Sequence, residues 1–207
     1  MKHGDELIYS GAWLILIGAI ISALGVTREA TTESLMGAKL VGQGNAIGAF
    51  GNTLQALGNT ELFQEDKEQF RNDIIIGCWL QAAGNSTNTV ATEIEINTSE
   101  EEGHRLNVVG SGVLGLGAAY EAVGAAEGNS PTKNLEVTGN SLIALGAFLD
   151  AAGNVFLLKK LETLGDRLAL IGGWTQVAGA SVNVIAITSA SNIEETHQKN
   201  MEYYWYE

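Results

Sequence analysis

Glycine returns at every seventh position of this chain, and it does so in six separate segments. Gly4, Gly11, Gly18 and Gly25 form one ladder, Gly37, Gly44, Gly51 and Gly58 a second, the pair Gly77 and Gly84 a third, and Gly103, Gly110, Gly117 and Gly124 a fourth. Gly139, Gly146 and Gly153 follow, then Gly165, Gly172 and Gly179. Seven residues is close to two helical turns, so each ladder leaves one stripe of a helix bare and lets another backbone come close. The pattern specifies construction and names no chemistry.

Charge is distributed in step with the ladders. Six spans (Leu7 to Val26, Leu40 to Thr60, Ile74 to Thr92, Leu106 to Ala126, Leu135 to Leu158 and Leu168 to Ile193) contain only three charged residues, Glu121, Glu136 and Asp150. The other charges fall in connectors such as Glu61 to Asp73 and Glu93 to Arg105. Spans of roughly 20 residues without period-two alternation are too long for ordinary strands and are read as helices about 30 Å long. With each ladder glycine at heptad position a, positions d and g are apolar. They are Leu7, Leu14, Ile21 and Ile17, Leu24 in the first span, and Leu106, Val113, Tyr120 and Val109, Leu116, Val123 in the fourth. These two stripes beside the glycines predict one packing face per helix. Each glycine costs roughly 1 kcal/mol against alanine in a helix interior, so close packing has to offset it. Runs such as Val182 to Ile187 and repeated Gly-Asn pairs leave a β-rich fold as the alternative.

The chain is also internally duplicated. Gly44 to Thr92 laid on Gly139 to Ile187 matches 18 of 49 positions without a gap, including Trp79, Gln81, Ser86 and Asn88 against Trp174, Gln176, Ser181 and Asn183. The first and fourth spans superpose their glycines at an offset of 99. The expectation is an all-α protein of six glycine-heptad helices. Residues 1–98 and 99–193 would be two tandem three-helix repeats, packed as a bundle or a stack of hairpins, and 194–207 an aromatic tail.

Gln81 and Asn88 occupy position e, and Gln176 and Asn183 repeat them, while Asn45, Asn52 and Asn59 run at position b. Such amides either line a polar channel or binding surface or bond across helix contacts and fix register, and register is the preferred role. Trp79 and Trp174 share position c with Trp13 and Phe148 and are read as packing or subunit contacts. Tyr203, Tyr204, Trp205 and Tyr206 crowd the carboxy-terminal tail and are candidate subunit contacts as well.

Nothing assembles a catalyst. His3, His104 and His197 sit in connectors or termini without a neighbour spaced for a metal or a triad. Asp150 aligns with Gln55, a neutral residue, and Glu100 to Glu102 lack the alternation of a calcium loop. No enzyme activity, cofactor or small-molecule substrate is expected. A net charge of -13 and only 11 Lys and Arg exclude nucleic acid, and the single Cys78 excludes an internal disulfide. The acidic start of the chain lacks a secretory cleavage pattern, so synthesis in the cytoplasm is expected.

Transmembrane helices are tested directly, because the span lengths match a bilayer and close glycine packing is a membrane habit. Leu7 to Val26 alone passes on hydropathy. Lys and Arg divide five against six between the two sides, which is no positive-inside bias. In water, however, uncharged faces require a partner. The leading expectation is therefore a non-enzymatic structural protein that associates with copies of itself into a fibre, tube or layer, and a membrane-embedded or membrane-active helical protein is the alternative.

The repeated Gly-x-Trp-x-Gln-x-Ala-Gly at Gly77 to Gly84 and Gly172 to Gly179, with Gly51 to Asn59, resembles an uncharacterised repetitive-protein family, a domain of unknown function from spore-forming bacilli. The first and fourth spans depart from the motif, carrying Ile15 and Leu114 where Gln would stand. The resemblance implies no activity, cofactor or catalytic residue. It does suggest spore association.

Overall fold

A computed structural model describes residues 2–32 and 35–204, with side chains described as far as residue 193. It contains six α-helices: α1 His3–Thr32, α2 Leu35–Asp66, α3 Phe70–Asn97, α4 Glu100–Glu127, α5 Lys133–Leu158 and α6 Glu162–Tyr204. The fold is all-α, and no strand occurs among the described residues. The β-rich alternative fails because six of the seven Gly-Asn pairs lie inside a helix, where packing outweighs the glycine penalty, and only Gly128-Asn129 falls in a connector.

Connectors are short and carry their own stop and start signals. Ser99 caps α4 by accepting the Glu102 N–H at 3.3 Å, and Glu100, Glu101 and Glu102 fill the first turn where the helix dipole favours acids. Glu136, one of the three charges inside the uncharged spans, accepts the hydroxyls of Ser130 and Thr132 at the start of α5. Lys67 and Lys160 adopt left-handed φ of 59° and 58° just after α2 and α5.

Each helix packs on its neighbours in chain order, and α6 returns to α1, so the six close into an up-and-down ring. The most extensive contacts are α1–α2, α3–α4 and α5–α6. These are the glycine seams. Gly11 faces Gly51, Gly18 faces Gly44 and Gly25 faces Gly37; Gly77 faces Gly117 and Gly84 faces Gly110; Gly139 faces Gly179, Gly146 faces Gly172 and Gly153 faces Gly165. Gly58 lies against Gly4, whereas Gly124 lies against Phe70 and Ile74. A Cβ at Gly18 would stand 2.5 Å from the Gly44 carbonyl oxygen, and one at Gly146 2.5 Å from that of Gly172. Glycines off the ladders serve the wider joints between hairpins: Gly48 beside Asn85, Gly115 under the Phe148 ring, and Gly173 beside Ala23. The predicted boundary at 98/99 falls inside the α3–α4 hairpin, at one of the three tight seams.

The expected packing face is corrected. At g, Ile17, Leu24, Val109, Leu116 and Val123 are all exposed, and Tyr120 at d is exposed too. Backbones this close leave room only for Gly and Ala at the contact, so larger side chains are displaced to the outer surface. The buried apolar residues are mostly alanines, such as Ala23, Ala56, Ala91, Ala118, Ala147 and Ala186. Leu114 and Ile143 are the large members of the central cluster.

Candidate functional site: a polar axial cavity

With position a in the seam and g outside, position e turns toward the axis of the ring. Gln81, Asn88, Glu121, Asp150, Gln176 and Asn183 all stand at e, and all line cavities along that axis. Of Gln81, Asn88, Gln176 and Asn183, three bond across helices: Gln81, Asn88 and Asn183. Asn183 Nδ2 donates to Asn140 Oδ1 at 2.6 Å, linking α6 to α5, and Asn88 Nδ2 donates to Ser111 Oγ at 3.0 Å, linking α3 to α4. The Oδ1 atoms of Asn88 and Asn183 have no hydrogen-bond partner among the described residues and occupy the space where a Cβ on Gly110 and Gly139 would stand, a fit that only glycine permits.

Two acids sit within this interior. Glu121 is buried and accepts the Gln81 Nε2–H at 2.5 Å. It also bonds the thiol of Cys78. Asp150 is half-buried and accepts the Ser111 hydroxyl at 2.5 Å, so Asn88, Ser111 and Asp150 form a chain across three helices. His104 is buried with Nδ1 3.0 Å from Asn154 Oδ1, and Asn154 Nδ2 donates to the Asp150 carbonyl. These contacts were missed in the sequence because they join residues 39 to 50 positions apart.

Three cavities follow one another. The smallest, about 10 Å³, is bounded by Glu121, Gln81, Asn52 and Asn183. The next, about 40 Å³, shares Asn52 and Gln81 with it and adds Asn45, Asn85 and Gln176. The largest, about 90 Å³, shares Asn45 and Gln176 with the second. It reaches the end of the ring where α1, α3 and α5 finish, among Glu29, Glu95, Asp150, Asp166 and His104. No Lys or Arg lines it. Asn52 is fully buried, and neither its Oδ1 nor its Nδ2 has a partner within the protein.

At that mouth Glu29 and Glu95 lie beyond the uncharged spans of α1 and α3. Burial, reinforced by the charges of Glu95, Asp166 and Asp150, pushes the Glu29 carboxyl up to about 8. Burial also raises Glu95; His104 opposes it, while Glu100 and Asp150 add to it. At the opposite end Asp66 is lowered: the Glu68 N–H and the Arg71 guanidinium outweigh its desolvation.

The aromatics of position c stand on the outside, with Trp13, Trp79, Trp174 and Phe148 each between 42% and 46% exposed. Trp174 Nε1 donates to Thr27 Oγ1 at 3.1 Å and ties α6 to α1 where the ring closes. Tyr203 and Tyr204 are the last residues of α6, and Trp205 and Tyr206 lie outside the described residues. Among the described residues no group of three His, Cys, Asp or Glu is arranged to hold a metal ion.

No curated protein and no solved structure matches the chain. A family model does, over residues 6–184, which takes in most of all six helices. The chain belongs to the family of unknown function DUF6944.

Proposed function

We propose that the chain is a membrane-embedded helical ring enclosing a polar cavity that admits water and small cations from one end. The observation that carries this reading is the reversed distribution of side chains. Asn52 is fully buried and Gln81, Asn88 and Asn154 nearly so, while Phe50, Leu116, Ile171 and Ile185 are more than half exposed. In water such an arrangement exposes the surface whose burial drives folding. In lipid it is the favoured one, because apolar side chains meet hydrocarbon and polar groups pair within the ring. Four helices, and not the first alone as expected from the sequence, are long and apolar enough to cross a membrane: α1, α4, α5, and α6 as far as Ile193. The amides that lower α2 and α3 face the axis, so their outward residues Phe50, Leu57, Ile76, Trp79 and Val90 remain apolar.

Exposed large apolar residues occur on all six helices, which favours a surrounding solvent over a single copy covering one side. The spanning segments are the uncharged stretches, each about 30 Å long. The acids at one mouth supply carboxyl oxygens, and a cation entering there favours their ionised form. The reading is non-enzymatic, and the repeat resemblance adds the membranes of a sporulating cell as a place to look. Expression of the full chain followed by flotation with phospholipid vesicles tests it. The protein is expected to float and to need detergent for extraction. A detergent-free soluble particle, or an ordered filament of the kind expected from sequence, overturns it.

A further inference from the structure

We infer that the three axial cavities form a file of water leading from the acidic mouth to Glu121, and that Glu121 takes up and releases a proton along it. The physiological sense of this path rests on the membrane reading, but the proton exchange does not.

Three observations meet at this site. First, the cavities are contiguous. Asn52 and Gln81 bound both the first and the second, and Asn45 and Gln176 both the second and the third, so amide side chains wall each joint between Glu121 and the mouth. Second, their volumes of about 10, 40 and 90 Å³ exceed or match the roughly 10–15 Å³ that one water requires. The first has room for one water and the others for several. Third, Asn52 has a wholly buried amide whose donor and acceptor both lack protein partners, and it stands where the first cavity meets the second. An amide left unpaired there is costly, and water in the adjoining cavities removes that cost. Apolar cavities of this size stay dry. This one is lined by amides at the joint and carries carboxylates at both ends.

The chemistry closes without a further reactant. A proton delivered at the mouth by hydronium or protonated buffer passes to the first water, each water hands one on, and the last protonates a Glu121 carboxylate oxygen. The carboxylate becomes a neutral carboxylic acid, and release runs the same steps backward. Facing Glu121 are Cys78 and Gln81 on α3, Asn52 and Gln55 on α2, Ile15 on α1, Asn140 on α5 and Asn183 on α6. Cys78 is the one titratable group among these. At the mouth the facing groups are Glu29, Glu95, Asp150, Asp166 and His104. Asp150 is engaged by Ser111 and Asn88 and lies beside the path, where it can take a proton in passing.

Infrared difference spectroscopy of the full chain in detergent micelles tests the assignment. The wild type is expected to show a protonated-carboxyl band that titrates with bulk pH and shifts on transfer to D₂O. Glu121→Gln should remove one component of that band and leave those of Glu29 and Glu95, Asp150→Asn should leave the Glu121 component in place, and Glu102→Gln, on an exposed turn, serves as control. Asn52→Leu and Asn45→Leu, which plug the two joints of the path, should keep the band but slow its D₂O shift by about tenfold. Survival of the whole titrating signal in Glu121→Gln overturns the proposal, as does exchange at the wild-type rate in both plugged variants. The Glu121→Gln comparison decides the matter if a plugged variant does not fold. Vesicle flotation reports on the membrane reading alone, so failure of one is distinguishable from failure of the other.

Discussion

Replacing Gly18 by alanine puts a methyl group into the α1–α2 seam at its midpoint. The added Cβ would lie 2.5 Å from the Gly44 carbonyl oxygen, 2.8 Å from the Gly48 nitrogen and 3.3 Å from the Gly48 α-carbon. All three neighbours are backbone, so no side chain can rotate away. Restoring the 3.4 Å of ordinary contact to that oxygen opens the seam by about 0.9 Å. Overpacking of this kind costs about 1–3 kcal/mol, and the C–H···O contact that glycine makes there adds about 0.5–1. Alanine returns roughly 1 kcal/mol of helix propensity, leaving a net loss of about 2 kcal/mol. Gly112 is the internal control, because a Cβ there meets nothing within 4 Å and alanine should stabilise by about 1 kcal/mol. Gly173 is intermediate, with Ala23 at 3.6 Å, and should be close to neutral or mildly stabilising. Unfolding followed by circular dichroism in mild micelles should therefore rank Gly112→Ala above Gly173→Ala above Gly18→Ala. A Gly18→Ala protein as stable as the wild type would refute close backbone contact as the reason for the ladder.

Three further outcomes can be checked. Glu29, with its folded pKa raised to about 8 from 4.5, keeps its proton in the folded state after the unfolded chain has lost it, so stability falls as pH rises from about 4.5 to 8. The fall is at most about 5 kcal/mol and smaller where solvent screens the carboxylate, is flattened in Glu29→Gln, and is read from melting temperatures across that window; a melting temperature that climbs through it contradicts the assignment. Trp174→Phe removes the hydrogen bond to Thr27 and should cost about 0.5–1 kcal/mol; Thr27→Val should match it, and the double variant should cost little more. Ser99→Ala removes the cap of α4 and should cost about 1 kcal/mol, with hydrogen exchange quickening first at the amide of Glu102.

The fold class was readable because the glycine period and the charge-free spans are local properties of the chain. Which face pointed where was not. The d and g stripes of α1 and α4 carry the apolar residues, and in a water-soluble bundle they would be the core. Here Leu24 and Val109 lie outside while Ser22 and Asn107, at position e, line the axis. Amphipathic pattern gives two faces but does not say which solvent surrounds them. The amides at e signalled their importance by repeating, as Gln81 and Gln176 do, but the partners of Glu121 and Asp150 depend on ring closure. That closure rests on contacts such as Trp174 with Thr27, 147 residues apart. No local pattern encodes it.

Ring closure also bears on the duplication. The glycines superpose by hairpins as well as by thirds of a helix set: Gly37, Gly44, Gly51 and Gly58 fall on Gly103, Gly110, Gly117 and Gly124 at a shift of 66, and Gly103, Gly110 and Gly117 on Gly165, Gly172 and Gly179 at a shift of 62. A two-helix shift carries each tight seam onto the next tight seam and preserves helix direction. A three-helix shift carries the tight α1–α2 seam onto the wider α4–α5 joint, and in an up-and-down ring it reverses every helix. Two three-helix halves would therefore be inverted relative to one another, an arrangement that a bilayer with similar faces on both sides accommodates. Residues matched between the two halves would then lie at opposite ends, and Lys and Arg divide nearly evenly between those ends. Hairpin units account for the seams, and three-helix units account for the matched Trp, Gln, Ser and Asn of α3 and α6. Six is the smallest number of helices that is a multiple of both periods.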